Sequence, residues 1–199
     1  MSAEIDIYNM SLGHLGISQT VSSVTETSAE ARALKRFYQT ALDKILRSAG
    51  LPISRKFKTL GLVEADPTSE WDFSYRYPND VLFLRRIFSG ARNDSEDSEV
   101  PYLIGQDDAG LLLYCDLDDV EIEYTCKCTN TAVLPADLVL TLSYLLAHLA
   151  GPALSKGDMR PADRAYKLYE MEYGKMIVNA MSEEKPDRPV VDSFTRSRT

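Results

Sequence analysis

Long apolar runs are missing from this sequence. No stretch reaches the roughly 18–20 uninterrupted apolar residues that a helix needs to cross a bilayer. The N-terminus, Met1-Ser2-Ala3-Glu4-Ile5-Asp6, has acids where a signal peptide carries bases and then an apolar block. Both absences point to a chain made in a cytoplasm and having no membrane partner. Histidine is scarce, with two in 199 residues. His14 and His148 have no Cys or carboxylate beside them at metal-ligand spacing, so both read as structural. The three cysteines, Cys115, Cys126 and Cys128, are an odd set and too few for a disulfide framework, so they are expected to be reduced packing residues. Cys126-x-Cys128 has no second pair to complete a zinc site. Asp116-Leu117-Asp118-Asp119 lacks the Gly and the distal Glu of a calcium loop and reads as a solvated turn. There is no Gly-rich phosphate loop, nucleophile elbow or dinucleotide fingerprint. No catalytic residue, cofactor or metal is therefore assigned.

Bases are missing from one long stretch. Residues 90 to 123 hold eleven acids (Asp94, Glu96, Asp97, Glu99, Asp107, Asp108, Asp116, Asp118, Asp119, Glu121 and Glu123) against Arg92 alone. That stretch carries −10 of a net −8, which leaves the remainder at +2. So acidic a surface repels a phosphate backbone, which disfavours sequence-specific DNA binding.

What is present is ordinary globular composition, 44% apolar and 26% charged, enough for one cored domain or a domain with an inserted lobe. Ile5, Tyr8, Leu12 and Leu15 share one face of a first helix over about residues 2 to 15, ended by Gly16. Thr27-Ser28-Ala29-Glu30 reads as a capping box opening a second helix. Its apolar stripe is Ala31, Leu34, Tyr38, Ala41, Ile45 and Ala49, its wet side Arg32, Lys35, Arg36, Asp43 and Lys44, and its stop Gly50.

From about residue 54 to 128 the helical period gives way to short apolar runs between turn residues. Strands are expected near Lys56–Glu64, Trp71–Tyr77, Val81–Phe88, Val100–Ile104, Leu111–Tyr114 and Val120–Cys128, with a loop at Ser89–Glu99. Along the last, Val120, Ile122, Tyr124, Cys126 and Cys128 share a face. Pro135 opens a third helix, apolar almost all round and so expected at a bundle centre. Its length and polar ends argue against a membrane span, and Gly151-Pro152 should break it. Pro161 opens a fourth helix with the stripe Ala162, Tyr166, Tyr169, Tyr173, Met176, Ile177 and Ala180. From Ser182 the composition favours an extended tail whose apolar Val190, Val191 and Phe194 are set among charges, as anchors for a partner would be. The expected class is α+β, in which residues 1–53 and 129–182 build a bundle of about four helices, 54–128 an inserted antiparallel β-rich lobe, and 183–199 an extended C-terminal tail.

Several phrases within this order resemble the tail tubular protein A family, the head-to-tail adaptors of short-tailed bacteriophages. They are Asn9-Met-Ser-Leu-Gly-His-Leu-Gly16, Ser28-Ala-Glu-Ala-Arg32, Trp71-Asp-Phe-Ser-Tyr-Arg-Tyr-Pro-Asn-Asp-Val81, Leu84-Arg-Arg-Ile87 and Tyr169-Glu-Met-Glu-Tyr173. The family often has a Trp just after helix two, where this chain has Leu51-Pro-Ile-Ser-Arg55. The resemblance implies a virion protein of the neck that forms a ring of twelve copies, with a portal protein above, a tail nozzle like tail tubular protein B below, and double-stranded DNA passing through. On that expectation Val190, Val191 and Phe194 anchor the tail in the portal, with Arg196 and Arg198 at its rim. Asp107, Asp108, Asp116, Asp118 and Asp119 are candidate lumen acids. The alternative kept open is a tail-borne peptidoglycan hydrolase, which needs two carboxylates across a cleft; a DNA-associated factor is disfavoured by the acidic balance.

Overall fold

A computed structural model describes residues 3–90, 100–128, 130, 133–155 and 157–183. The elements are α1 (Ala3–His14), α2 (Ala29–Ala49), a 3-10 turn (Pro52–Ser54), β1 (Arg55–Thr59), β2 (Leu62–Ala65), β3 (Phe73–Arg76), β4 (Val81–Phe88), β5 (Leu103–Asp107), β6 (Gly110–Cys115), β7 (Glu121–Cys126), α3 (Ala136–Leu154) and α4 (Arg160–Glu183). Four helices and two antiparallel sheets make this an α+β fold, as the sequence pattern predicts.

The bundle is organised on α3, against which α1, α2 and α4 all pack. Leu138, Leu142, Leu145, Leu146 and Ala150 are buried there among Leu12 of α1, Leu34, Leu42 and Ile45 of α2, and Met176 of α4. Gly151 and Pro152 do not break α3. The helix runs on to Leu154, and Ser155 N–H closes its last turn on Gly151 O at 2.8 Å. Pro152 lacks an amide hydrogen, but so near the end only one ladder bond is forfeited. Gly151 is there for contact: a Cβ on it would stand 2.6 Å from Ala162 Cβ of α4 and 3.3 Å from Leu15 Cδ2 beyond α1. At 19 residues α3 is, by length and apolarity alone, able to cross a membrane, which corrects the expectation from its length; half of it is buried inside the bundle.

Two expected details of the helices shift. The face that α1 buries is Ile7, Tyr8, Ser11, Leu12 and Leu15, with Ile5 only half-buried. Ser11 is tolerated because its hydroxyl lies 2.8 Å from Ile7 O and 3.0 Å from Ser143 O of α3. The N-cap of α2 is Ser28, whose Oγ accepts from Ala31 N–H at 3.3 Å, so Thr27 lies outside the cap. Glu26, not Glu30, meets a preceding backbone donor, Ser22 N–H at 2.8 Å. Gly50, in the left-handed region at φ 64°, ends α2 as expected.

The β lobe has a three-stranded sheet, β1-β7-β4, and a four-stranded sheet, β2-β3-β6-β5, around one core of Leu60, Tyr75, Tyr77, Leu84, Ile87, Leu113, Cys115, Val120, Ile122, Tyr124 and Cys126. The single strand expected over Lys56–Glu64 is two. The chain turns at Leu60-Gly61, where Leu60 N–H reaches Val120 O at 2.8 Å and Arg76 N–H reaches Gly61 O at 2.9 Å. β1 thus joins one sheet and β2 the other. The strand expected at Val100–Ile104 begins three residues later. Asp107 Oδ1 accepts from Ala109 N–H at 2.9 Å and sets a two-residue hairpin loop, which fixes Asp107 opposite Gly110. In that register Tyr114 lies over Gly105, where a Cβ would meet its ring at 2.8 Å. On β7 the alternation holds, with Val120, Ile122, Tyr124, Cys126 and Cys128 all buried.

Candidate functional site

The Tyr75-x-Tyr77-Pro78-x-Asp80 phrase is a structural joint. Both tyrosines and Pro78 are buried, and Val81 N–H closes a turn on Pro78 O. Asp80 then ties three strands together: its carboxylate accepts from Lys56 Nζ of β1 at 2.7 Å and from Tyr124 OH of β7 at 3.2 Å, and its carbonyl from Lys127 N–H at 2.8 Å. Burial alone would raise the Asp80 pKa, yet the Lys56 ammonium and the Tyr124 hydroxyl outweigh it and hold the carboxyl below its ordinary value.

The histidines come closest to a catalytic arrangement. His14 Nε2 lies 3.0 Å from Ser143 Oγ, and its ring stacks on Tyr144 with centroids 4.1 Å apart. Burial, then the nearby Arg164, push the His14 pKa down. Ser143 is fully buried and its hydroxyl donates to Leu140 O at 2.7 Å, so its own proton is not offered to His14 and it stands away from any substrate. His148 Nδ1 faces Ala162 O at 3.1 Å and its ring meets Tyr166, the first of a ladder with Tyr169 and Tyr173. Both histidines brace helix contacts. Cys115, Cys126 and Cys128 are free and buried, and burial raises the Cys115 and Cys126 pKa values. Among the described residues no group of three or more His, Cys, Asp or Glu could hold a metal ion.

The acids contiguous in sequence are parted in space. Asp107 and Asp108 sit in the β5–β6 hairpin, and Asp116, Asp118 and Asp119 in the β6–β7 turn, at opposite ends of β6. The length of that six-residue strand, about 17 Å, separates the two groups. Asp107 takes both ends of the Arg76 guanidinium at 2.8 Å, and that pairing holds its carboxyl at about 2. The other end gathers acids that sequence distance concealed. Asp72 N–H donates to Asp116 Oδ1 at 3.1 Å and Asp66 N–H to Asp72 O at 2.7 Å, so the 66–72 loop stands against the 116–119 turn. Asp66, Glu70, Asp72, Asp116, Asp118 and Asp119 are all exposed there, and none forms an ion pair among the described residues. Asp94, Glu96, Asp97 and Glu99 lie outside the described residues, as do Val190, Val191, Phe194, Arg196 and Arg198.

Two surfaces were not read from the sequence. The first is apolar and belongs to the lobe: Leu62 and Val63 on β2, Leu103 and Ile104 on β5, Leu111 on β6, Phe57 on β1 and Phe83 on β4 are each 42% or more exposed. Their alternation was visible, but which face of each strand lacks a cover depends on the sheet pairing. The second is a groove of about 530 Å³ at the end of the bundle, floored by Ala33 and Phe37 of α2 and by Leu149 and Leu154 of α3. Arg32 and Arg36 are its only charged lining residues, both exposed and neither paired with an acid among the described residues.

Fold and surfaces together define an α+β protein whose bundle carries a β lobe rich in uncovered apolar side chains. No protein-family model and no curated protein matches the chain.

Proposed function

We propose that this chain is a structural virion protein, a head-to-tail adaptor subunit that forms a ring between the portal and the tail nozzle of a short-tailed phage and lines part of the DNA passage. The observation that carries the reading is the uncovered apolar surface of the lobe, with Phe57, Leu62, Phe83 and Leu103 each about half exposed. Isolated apolar residues are normal on a soluble protein, whereas this many on both sheets of one small lobe are what an assembly surface requires. The four-helix bundle with an inserted lobe is also the arrangement that the family resemblance implies.

In this reading the bundle wedges against neighbouring copies in a ring of twelve, the lobe forms the platform for a nozzle like tail tubular protein B, and the tail enters the portal through Val190, Val191 and Phe194. DNA passes without sequence-specific contacts. The chain is no enzyme, works in the neck of the virion after synthesis in the host cytoplasm, and needs no membrane. The test is the mass of the purified protein in solution, alone and mixed with its phage's portal: rings or a stable co-complex are expected. Failure to bind the portal, together with lytic activity lost on changing a single Asp or Glu, would overturn the reading in favour of the hydrolase. Deleting residues 183–199 should weaken portal binding and leave the fold intact; undiminished binding removes the docking role of the tail.

A further inference from the structure

The helical groove and the acidic tip of the lobe are complementary surfaces that one copy does not bring together. The groove presents two guanidinium groups, Arg32 and Arg36, that no acid among the described residues pairs, over an apolar floor of Ala33, Phe37, Leu149 and Leu154. The tip presents Asp66, Glu70, Asp72, Asp116, Asp118 and Asp119 around the half-buried Trp71 and Leu117. The sequence has no base between Lys58 and Arg76, nor between Arg92 and Lys127, so neither tip segment supplies its own counter-charge. The hydrogen bond from Asp72 N–H to Asp116 and the bond from Tyr75 OH to Leu117 O at 2.6 Å hold the two segments of the tip side by side.

Within one chain the two surfaces stand apart. The lobe joins the bundle at Gly50, the C-terminal end of α2, where Arg85 of β4 packs over that glycine. Arg36 lies fourteen positions back along α2, about 21 Å from that junction. The tip lies at the far end of β7 from the junction, since Cys128, just past the end of the strand, packs in the bundle core and Glu121 begins the strand at the turn. No residue of the lobe lines the groove.

We propose that the groove of one copy receives the acidic tip of the next copy. The proposal rests on the adaptor-ring reading and deepens it by naming the contact between copies. Different patches meet in such a contact, so it is head-to-tail, the type that closes a ring when the rotation permits. Trp71 and Leu117 approach the apolar floor while Arg32 and Arg36 pair with the surrounding carboxylates. Partial desolvation strengthens those pairs relative to open surface pairs, and a polar rim around an apolar centre is the usual build of a specific interface.

The experiment is sedimentation velocity at low salt on the full chain, alone and with its phage's portal, using Arg32→Glu/Arg36→Glu as one variant and Asp66→Lys/Glu70→Lys/Asp72→Lys/Asp118→Lys, which turns the six-acid tip net basic, as the other. Each substituted side chain is exposed, and matching circular dichroism melts confirm that each variant folds. Each variant alone is expected to lose assembly at least tenfold. Mixed in equal amounts the two should assemble again, because alternating copies place an acidic groove against a basic tip at one junction and a basic groove against an acidic tip at the next. Full assembly of either variant alone, or no recovery on mixing, overturns the contact and leaves the ring reading standing. Wild-type chains that stay monomeric both alone and on the portal overturn the ring as well. Loss of portal binding by the groove variant with copy-to-copy assembly intact overturns the proposal and assigns the groove to the portal.

Discussion

Glycine shows how one residue type can carry opposite meanings in one fold. Gly151 lies in helix–helix contact, where a Cβ would stand 2.6 Å from Ala162 Cβ, itself held on the backbone of α4. Gly151→Ala should therefore cost about 1–2 kcal/mol net, an overpacking penalty of about 1–3 kcal/mol offset by helix propensity. Gly174 has nothing within 4 Å of the same position, so Gly174→Ala should stabilise by about 0.5–1 kcal/mol. Urea unfolding of the pair reads both signs. At Asp107 the Arg76 guanidinium depresses the folded-state pKa to about 2. A depressed carboxyl contributes stability above its unfolded value, near 4, and that contribution disappears as the pH falls through 2. NMR titration should place the Asp107 midpoint near 2, and Asp107→Asn should flatten the acid-side loss of stability between about pH 4 and pH 2.

At the scale of elements, the cap of α2 separates what a motif proposes from what geometry selects. Ser28→Ala should cost about 1 kcal/mol in thermal or urea unfolding, because Ala31 N–H loses its acceptor, whereas Thr27→Ala should change stability by less than about 0.5 kcal/mol. Equal losses at the two positions would return the cap to Thr27. The helices were legible because a 3.6-residue period with Gly50 and proline punctuation is local information; α2 buries most of the face that this period marks, whereas α4 buries Ala162, Tyr169 and Met176 of its stripe and leaves Tyr166, Tyr173, Ile177 and Ala180 half-buried. Ser11 was not legible as a core residue, since its hydroxyl is satisfied by Ser143 O, 132 positions away. The division of Lys56–Glu64 into β1 and β2 was hidden for a similar reason. Leu60 is held by Val120, a long-range partner that no local pattern names.

For the whole molecule, charge is the feature that tertiary structure rearranges most. The −10 stretch suggested one acidic surface, but β6 parts Asp107 and Asp108 at one end from Asp116, Asp118 and Asp119 at the other, and the 66–72 loop adds three acids to the second group. The contact proposed for that end should weaken with salt, because exposed charge pairs are screened over about 10 Å at 0.1 M ionic strength. If the proposed head-to-tail contact forms the assembly, raising salt from 50 to 500 mM should shift it toward monomers in analytical ultracentrifugation. Association that strengthens with salt would mean the apolar faces around Phe57 and Leu103 dominate.

The sequence by itself determined the class, because the period of apolar residues switches from helical to alternating and back and each switch is written in adjacent residues. It determined the α+β division, the central place of α3, the buried face of β7 and the reduced, packed state of the three cysteines. Only the tertiary structure decided which apolar faces stay uncovered, which acids are neighbours and where Arg32 and Arg36 find a groove. Those properties depend on strand pairing and helix crossings between residues tens of positions apart, and distance along the chain does not encode distance in space.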